Sequence, residues 1–124
     1  MNSPHSLTSS SLLTVMEEFC VRCNESTAVG KLIKRWTRTI ELQVCNDSKL
    51  SCFIASESGF VKISAVNQES APDMTITAES EILTKIFCGA LNPARAHLDG
   101  DVQVYGSQKD QLVLDSIVLL IWGF

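Results

Sequence analysis

Cys20 and Cys23 stand three residues apart and form the one close grouping of soft, redox-active atoms in the sequence. Two chemistries use such a pair. A zinc site would need two further ligands at comparable spacing, and the two histidines, His5 and His97, do not supply them. A dithiol redox pair would sit where a strand gives way to a helix start, whereas these two fall late in an apparent helix. Structural thiols are the expectation, and a redox or metal domain is the reading that stoichiometric metal analysis would decide. Lys31, Lys34, Arg35 and Arg38 follow helical i, i+3, i+4, i+7 spacing beside Trp36. Lys31, Lys34, Arg35 and Trp36 could dock a chain on anionic lipid, with the indole at the interface. A solvated basic face explains them as well, and Arg38 falls in a strand pattern that breaks the stripe.

Nothing else offers reactive chemistry. His5 lies in a Ser-rich stretch, and His97, beside Leu98 and Asp99 in a short helix, reads as a boundary residue. The sequence has no Gly-x-Gly-x-x-Gly, no phosphate loop and no His-Glu-x-x-His. No active site, metal site or cofactor is expected, so the chain reads as a non-enzyme.

With 124 residues the chain is one domain, long enough to bury roughly two-thirds of its unfolded surface. A formal charge of -4 argues against nucleic acid as the main partner, since phosphate binding needs a net basic face. Five cysteines, an odd and scattered set, need no disulfide framework, and the start carries no signal-peptide pattern. Reduced thiols in an intracellular, cytoplasmic setting are expected. The closing Trp122-Gly123-Phe124 is not a Ser-Lys-Leu peroxisomal address.

Residues 1–11, Ser-rich and nearly uncharged, read as a disordered tail or linker ahead of one domain over residues 12–124. From Leu12 to Cys23 the apolar residues keep helical spacing, with Thr14 and Glu17 as a capping box. A short helix follows over about Thr27 to Arg35. Trp36, Ile40, Leu42 and Val44 then alternate with polar residues, and two further strand patterns cover Leu50–Ala55 and Phe60–Val66. After a looser crossover, Asp73–Thr77 sets Met74 and Ile76 on one strand face. Thr77 is placed to cap a helix whose Ile82, Leu83, Ile86 and Phe87 form one stripe, ended at Gly89. Asn92-Pro93 opens a second helix, and Val102 and Val104 share a face of a last strand. The pattern predicts an α+β domain with a five-stranded, mostly antiparallel sheet and helices packed on one face.

The last helix is unusual because Ile117 to Trp122 is apolar all round. It is too short for a bilayer, which needs about 20 residues. Burial in the core would absorb it; otherwise it meets a bound lipid, a second copy, a neighbouring domain or a membrane surface.

The run from Asp73 to Gly106 resembles the lipid-binding domain of the sterol carrier protein type 2 family. The resemblance rests on Asp-Met-Thr-Ile-Thr (Asp73 to Thr77), the Gly89 to Ala96 segment with its Leu91 and Pro93, and the Gly100 to Gly106 strand with its two valines. Each piece is weak alone, and three in the right order are fairly specific; together they span about a quarter of the chain. The basic residue often found after the first of those strand glycines is Asp101 here, and the acidic one after the second is Ser107. Charge-dependent ligand contacts are therefore not carried over.

The resemblance implies a hydrophobic cavity between sheet and helices, with the C-terminal helix as lid. It implies non-enzymatic binding and transfer of a sterol, fatty acyl or isoprenoid-like lipid. Candidate lipid-binding residues are Met74, Ile76, Ile82, Leu83, Ile86, Phe87, Val102, Val104, Val113, Ile117, Leu120 and Ile121. Taken singly, each fits a filled core equally well. The alternative is a closed-core accessory module of a larger lipid- or membrane-associated protein, such as a stomatin-like one, docking or dimerising through the C-terminal helix.

Overall fold

The computed structural model describes residues 4–64 and 71–124, with side chains from Leu12 onward. Strands β1 (Arg38–Val44), β2 (Cys52–Glu57), β3 (Phe60–Ser64), β4 (Met74–Ala78) and β5 (Val102–Tyr105) form one open sheet in the order β3-β2-β1-β4-β5. β1 pairs parallel with β4, and the other three pairings are antiparallel. The helices are α1 (Pro4–Glu25), α2 (Thr27–Leu32), α3 (Ser80–Phe87), α4 (Pro93–Leu98) and α5 (Gln108–Trp122). This is the α+β architecture that the alternation of patterns predicts.

Period-two alternation decides which sheet face the helices cover. Ile40, Leu42 and Val44 of β1 and Met74, Ile76 and Ala78 of β4 are buried, whereas Glu41, Gln43, Thr75 and Thr77 line the more open face. There Thr77 Oγ1 donates to Gln43 Oε1 at 3.0 Å. The buried side meets Leu12, Met16, Phe19 and Cys23 of α1, and Phe19 packs edge-on against Phe87 with ring centroids 5.0 Å apart.

Asp73 explains the start of the parallel pair. Its carboxylate accepts from Thr39 N at 2.8 Å, and its own N–H donates to Thr39 O at 2.8 Å. Gly106 explains where β5 meets β4. A Cβ there would lie 2.8 Å from Met74 Cγ, and the backbone sits at φ +143°, which favours glycine.

Several local expectations move. Helical backbone reaches back to Pro4, where a tail was expected, so Thr14 lies inside α1 and caps nothing; residues 1–3 lie outside the described residues. Extending an anchored helix adds one bond per residue without a new nucleus. Thr77 is a strand residue because β4 continues to Ala78; the start of α3 is served instead by Asn46, whose Oδ1 accepts from Ser80 N at 3.0 Å. β3 ends at Ser64, and the Ala65–Val66 end of that expected strand and most of the crossover lie outside the described residues. The caps at Asn92 and Ser107 stand where the sequence places them, accepting from Ala94 N at 2.9 Å and Asp110 N at 3.0 Å.

Candidate functional site

Between β4, β5, the end of α3, α4 and α5 the packing leaves a cavity of about 360 Å³. Its walls are Met74 and Ile76 from β4, Val102 and Val104 from β5, Ile86 and Phe87 from α3, Pro93, Ala94 and Leu98 from α4, and Leu114 and Val118 from α5. Polar groups enter at His97, Gln111 and Asp115. The volume and the mixture of apolar wall with few polar groups match small-molecule sites, which run from about 300 to 1,000 Å³.

α5 closes this space and is pinned at both ends. At its first turn Asp110, 5% exposed, accepts from Trp36 Nε1 at 2.8 Å and from Arg38 Nε at 3.1 Å. Burial pushes the Asp110 carboxyl up, but hydrogen bonds from Trp36, Arg38 and Ser107, with the Arg38 charge, outweigh it and hold the group below its ordinary value. At the other end Trp122 Nε1 donates to Phe87 O at 3.1 Å, and the Arg22 guanidinium lies 4.8 Å from the Trp122 ring centroid. A Cβ on Gly89 would come within 2.7 Å of that ring.

Six of the twelve expected lining residues surround the cavity: Met74, Ile76, Ile86, Phe87, Val102 and Val104. The others do not. Leu83 and Ile117 are core, 0% and 2% exposed, and Val113 and Ile121 are half-buried against that core. Leu120 is exposed, and Ile82 borders a shallow polar groove with Glu79, Glu81 and Lys85. On α5 the expectation had the right period and the wrong phase. Val113, Ile117, Leu120 and Ile121 make the most apolar stripe, which runs from buried Ile117 through half-buried Val113 and Ile121 to exposed Leu120; the cavity receives Gln111, Leu114, Asp115 and Val118. All of the α4 contribution was missed. For α5 the available signal was Gln111 and Asp115, polar residues recurring at i, i+4 among apolar ones, which marks a face that meets both wall and water.

The basic residues separate in the same way. Lys31, Lys34 and Arg35 are exposed, but Trp36 is 8% exposed with its indole committed to Asp110. Trp36 is a core residue and no interface anchor. Burial pushes the Cys20 and Cys23 thiols up to about 12, with Cys52 and Cys20 respectively adding to it, and Cys52 up to about 11. Such thiols stay protonated at neutral pH and pack as small apolar groups. Among the described residues no cluster of three His, Cys, Asp or Glu is arranged to hold a metal.

A model of the SCP-2 sterol transfer family matches residues 16–117. No curated protein sequence matches the chain. Among solved structures, the UbiJ-SCP2 ubiquinone synthesis protein is similar at 14% identity and TM-score 0.70, over 89% of this chain and 94% of that one. The sterol carrier protein domain 2 of Helicoverpa armigera is similar at 18% identity and TM-score 0.69, over 99% and 94%. The sec-alkylsulfatase Pisa1 from Pseudomonas sp. is similar at 16% identity and TM-score 0.60, over 77% of this chain and 14% of that far larger one. At these identities the likenesses speak to the fold.

Proposed function

The chain belongs to the SCP-2 sterol transfer family, and from that premise of lipid binding and transfer we propose that it works without catalysis, holding a sterol, fatty acyl or isoprenoid-like lipid between β4, β5, α4 and α5. One observation carries this reading: the fold keeps a largely apolar-lined space beneath a helix pinned at both ends. Each methylene moved into it from water gains about 0.8 kcal/mol, so a long chain is held without specific polar contacts. The module is the region from Leu12 onward, with Lys31, Lys34 and Arg35 as its contact to anionic lipid. Native mass spectrometry of the purified protein, followed by organic extraction, tests the binding. A lipid at one per chain is the expected result. A bare mass with no uptake of fluorescent fatty acid or sterol would overturn it.

A second reading has its own support. α5 leaves Leu112, Leu119 and Leu120 exposed at 59%, 48% and 48%, a surface suited to a parent protein or a second copy. A fold of this kind also lies within the much longer sec-alkylsulfatase. A closed-core accessory module would show the bare mass together with association through this face.

A further inference from the structure

The cavity is uneven in its chemistry. β4, β5 and α3 contribute only carbon and sulfur side-chain atoms, while the polar groups come from two helices: His97 on α4, and Gln111 and Asp115 one turn apart on α5. Among the described residues the lining contains no lysine and no arginine. Gln111 donates one Nε2 hydrogen to Gly106 O at 3.0 Å, which leaves Oε1, an acceptor, and the second Nε2 hydrogen uncommitted. Asp115 is an acceptor too. Among the described residues nothing donates a hydrogen bond to its carboxylate, and the group that acts on its charge is the His97 imidazole. Partial burial pushes that carboxyl up, against the lowering effect of His97, while the side chain keeps an exposed side to solvent.

A chain laid along the apolar walls therefore brings its head beside the Asp115 carboxylate, with no lysine or arginine among the described lining residues to balance it. An amine or a hydroxyl donates to Asp115 and Gln111. A carboxylate head adds a second negative charge beside Asp115 and donates nothing when ionised. Among the described lining residues the one cationic candidate is His97, which already acts on Asp115 and cannot offset both charges. Resting on the lipid-binding reading, we infer that the cavity selects long-chain amphiphiles with a hydrogen-bond-donating head, an amine or an alcohol, over those with a free carboxylate. Asp115 is the residue that sets this preference, with Gln111 Oε1 as a further acceptor for a donating head.

Displacement of a headless pyrenyl-alkane from the purified protein tests it, with hexadecylamine, 1-hexadecanol and palmitate as competitors. The amine and the alcohol are expected to displace the probe at concentrations about tenfold below palmitate, the scale of one like-charge contact at an effective dielectric near 20, discounted for solvent. Asp115 is exposed and outside the core, so Asp115→Asn keeps the fold. That variant is expected to bring palmitate within about twofold of the alcohol and to remove any lead of the amine. Probe uptake with all three competitors equal in the wild type, or an unchanged ranking in Asp115→Asn, overturns the head-group preference alone. Failure of the probe to bind at all overturns the lipid-binding reading and the preference with it.

Discussion

Asp110 accepts from the indole of Trp36 and the guanidinium of Arg38, 74 and 72 residues away in sequence, and so ties the first turn of α5 to the start of β1 and the residues just before it. Removing the acceptor leaves a buried indole N–H and a half-buried cation unpaired. Asp110→Ala is expected to cost about 3 kcal/mol by urea denaturation at pH 7. The sign with pH follows from the lowered folded value. The contribution is complete above the ordinary carboxylate range near pH 4 and fades as pH falls through the depressed value. The gap between wild type and Asp110→Ala should therefore narrow at acid pH; a gap that stays constant to pH 2 would remove the charge from the account. Gly89 pins the other end by having no side chain. Its φ of +86° and the Trp122 ring 2.7 Å from a Cβ predict two separable penalties for Gly89→Ala. About 1 kcal/mol comes from the left-handed backbone, and the rest from displaced Trp122. In a double-mutant cycle with Trp122→Ala only the backbone part should remain.

Phase is what distinguishes the faces of α5, and it supplies a contrast between neighbouring positions. Ile117, 2% exposed, belongs to the core stripe, so Ile117→Asp buries a charge and should unfold the protein, whose whole margin is about 5–15 kcal/mol. Val104 is half-buried on the cavity wall, so Val104→Phe grows into empty space. It should keep the melting temperature within a few degrees while lowering lipid uptake about tenfold or more. If uptake is unchanged, the lipid lies elsewhere. The same contrast shows what the sequence makes legible. Strand faces at Met74, Ile76, Val102 and Val104 were readable because period two leaves only two faces to choose between. The caps at Asn92 and Ser107 were readable because their partners are local. The cap on α3 was not, since Asn46 comes from a turn far away in sequence. The cavity face of α5 was not either, because Leu114 and Val118 on the cavity are buried like Ile117 on the other side, and hydrophobicity alone does not separate the two faces. Trp36 was misplaced because an aromatic beside lysines looks the same in sequence whether its N–H meets a headgroup or Asp110.

The cavity and the basic residues are built from different side chains, although α2 packs against α5, the helix that closes the cavity. The cavity is built on β4 and β5 at one sheet edge. Lys31 and Lys34 belong to α2 and the turn after it, and the β2–β3 turn at the far edge packs there: a Cβ on Gly59 would lie 3.5 Å from Gly30 O and 3.8 Å from Lys34 Cα. No residue is shared, so ligand affinity and surface attraction should vary independently. Reversing Lys31, Lys34 and Arg35 to Glu subtracts two charges each and takes the formal charge from -4 to -10. If this cluster docks the protein, transfer of a fluorescent lipid to vesicles rich in anionic lipid should slow severalfold, at about 1 kcal/mol of attraction per basic residue near the surface. Affinity for the same lipid in solution should not change, and raising salt should slow the wild type toward the variant. Added negative charge anywhere would also repel the vesicles, so position must be separated from total charge. Reversing Lys49, Lys85 and Lys109, all exposed and outside the cluster, gives the same -10. Docking through α2 requires that the first triple variant slow transfer far more than the second. Equal slowing leaves only net charge at work, and the exposed leucines of α5, beside the cavity, become the surface that meets the membrane.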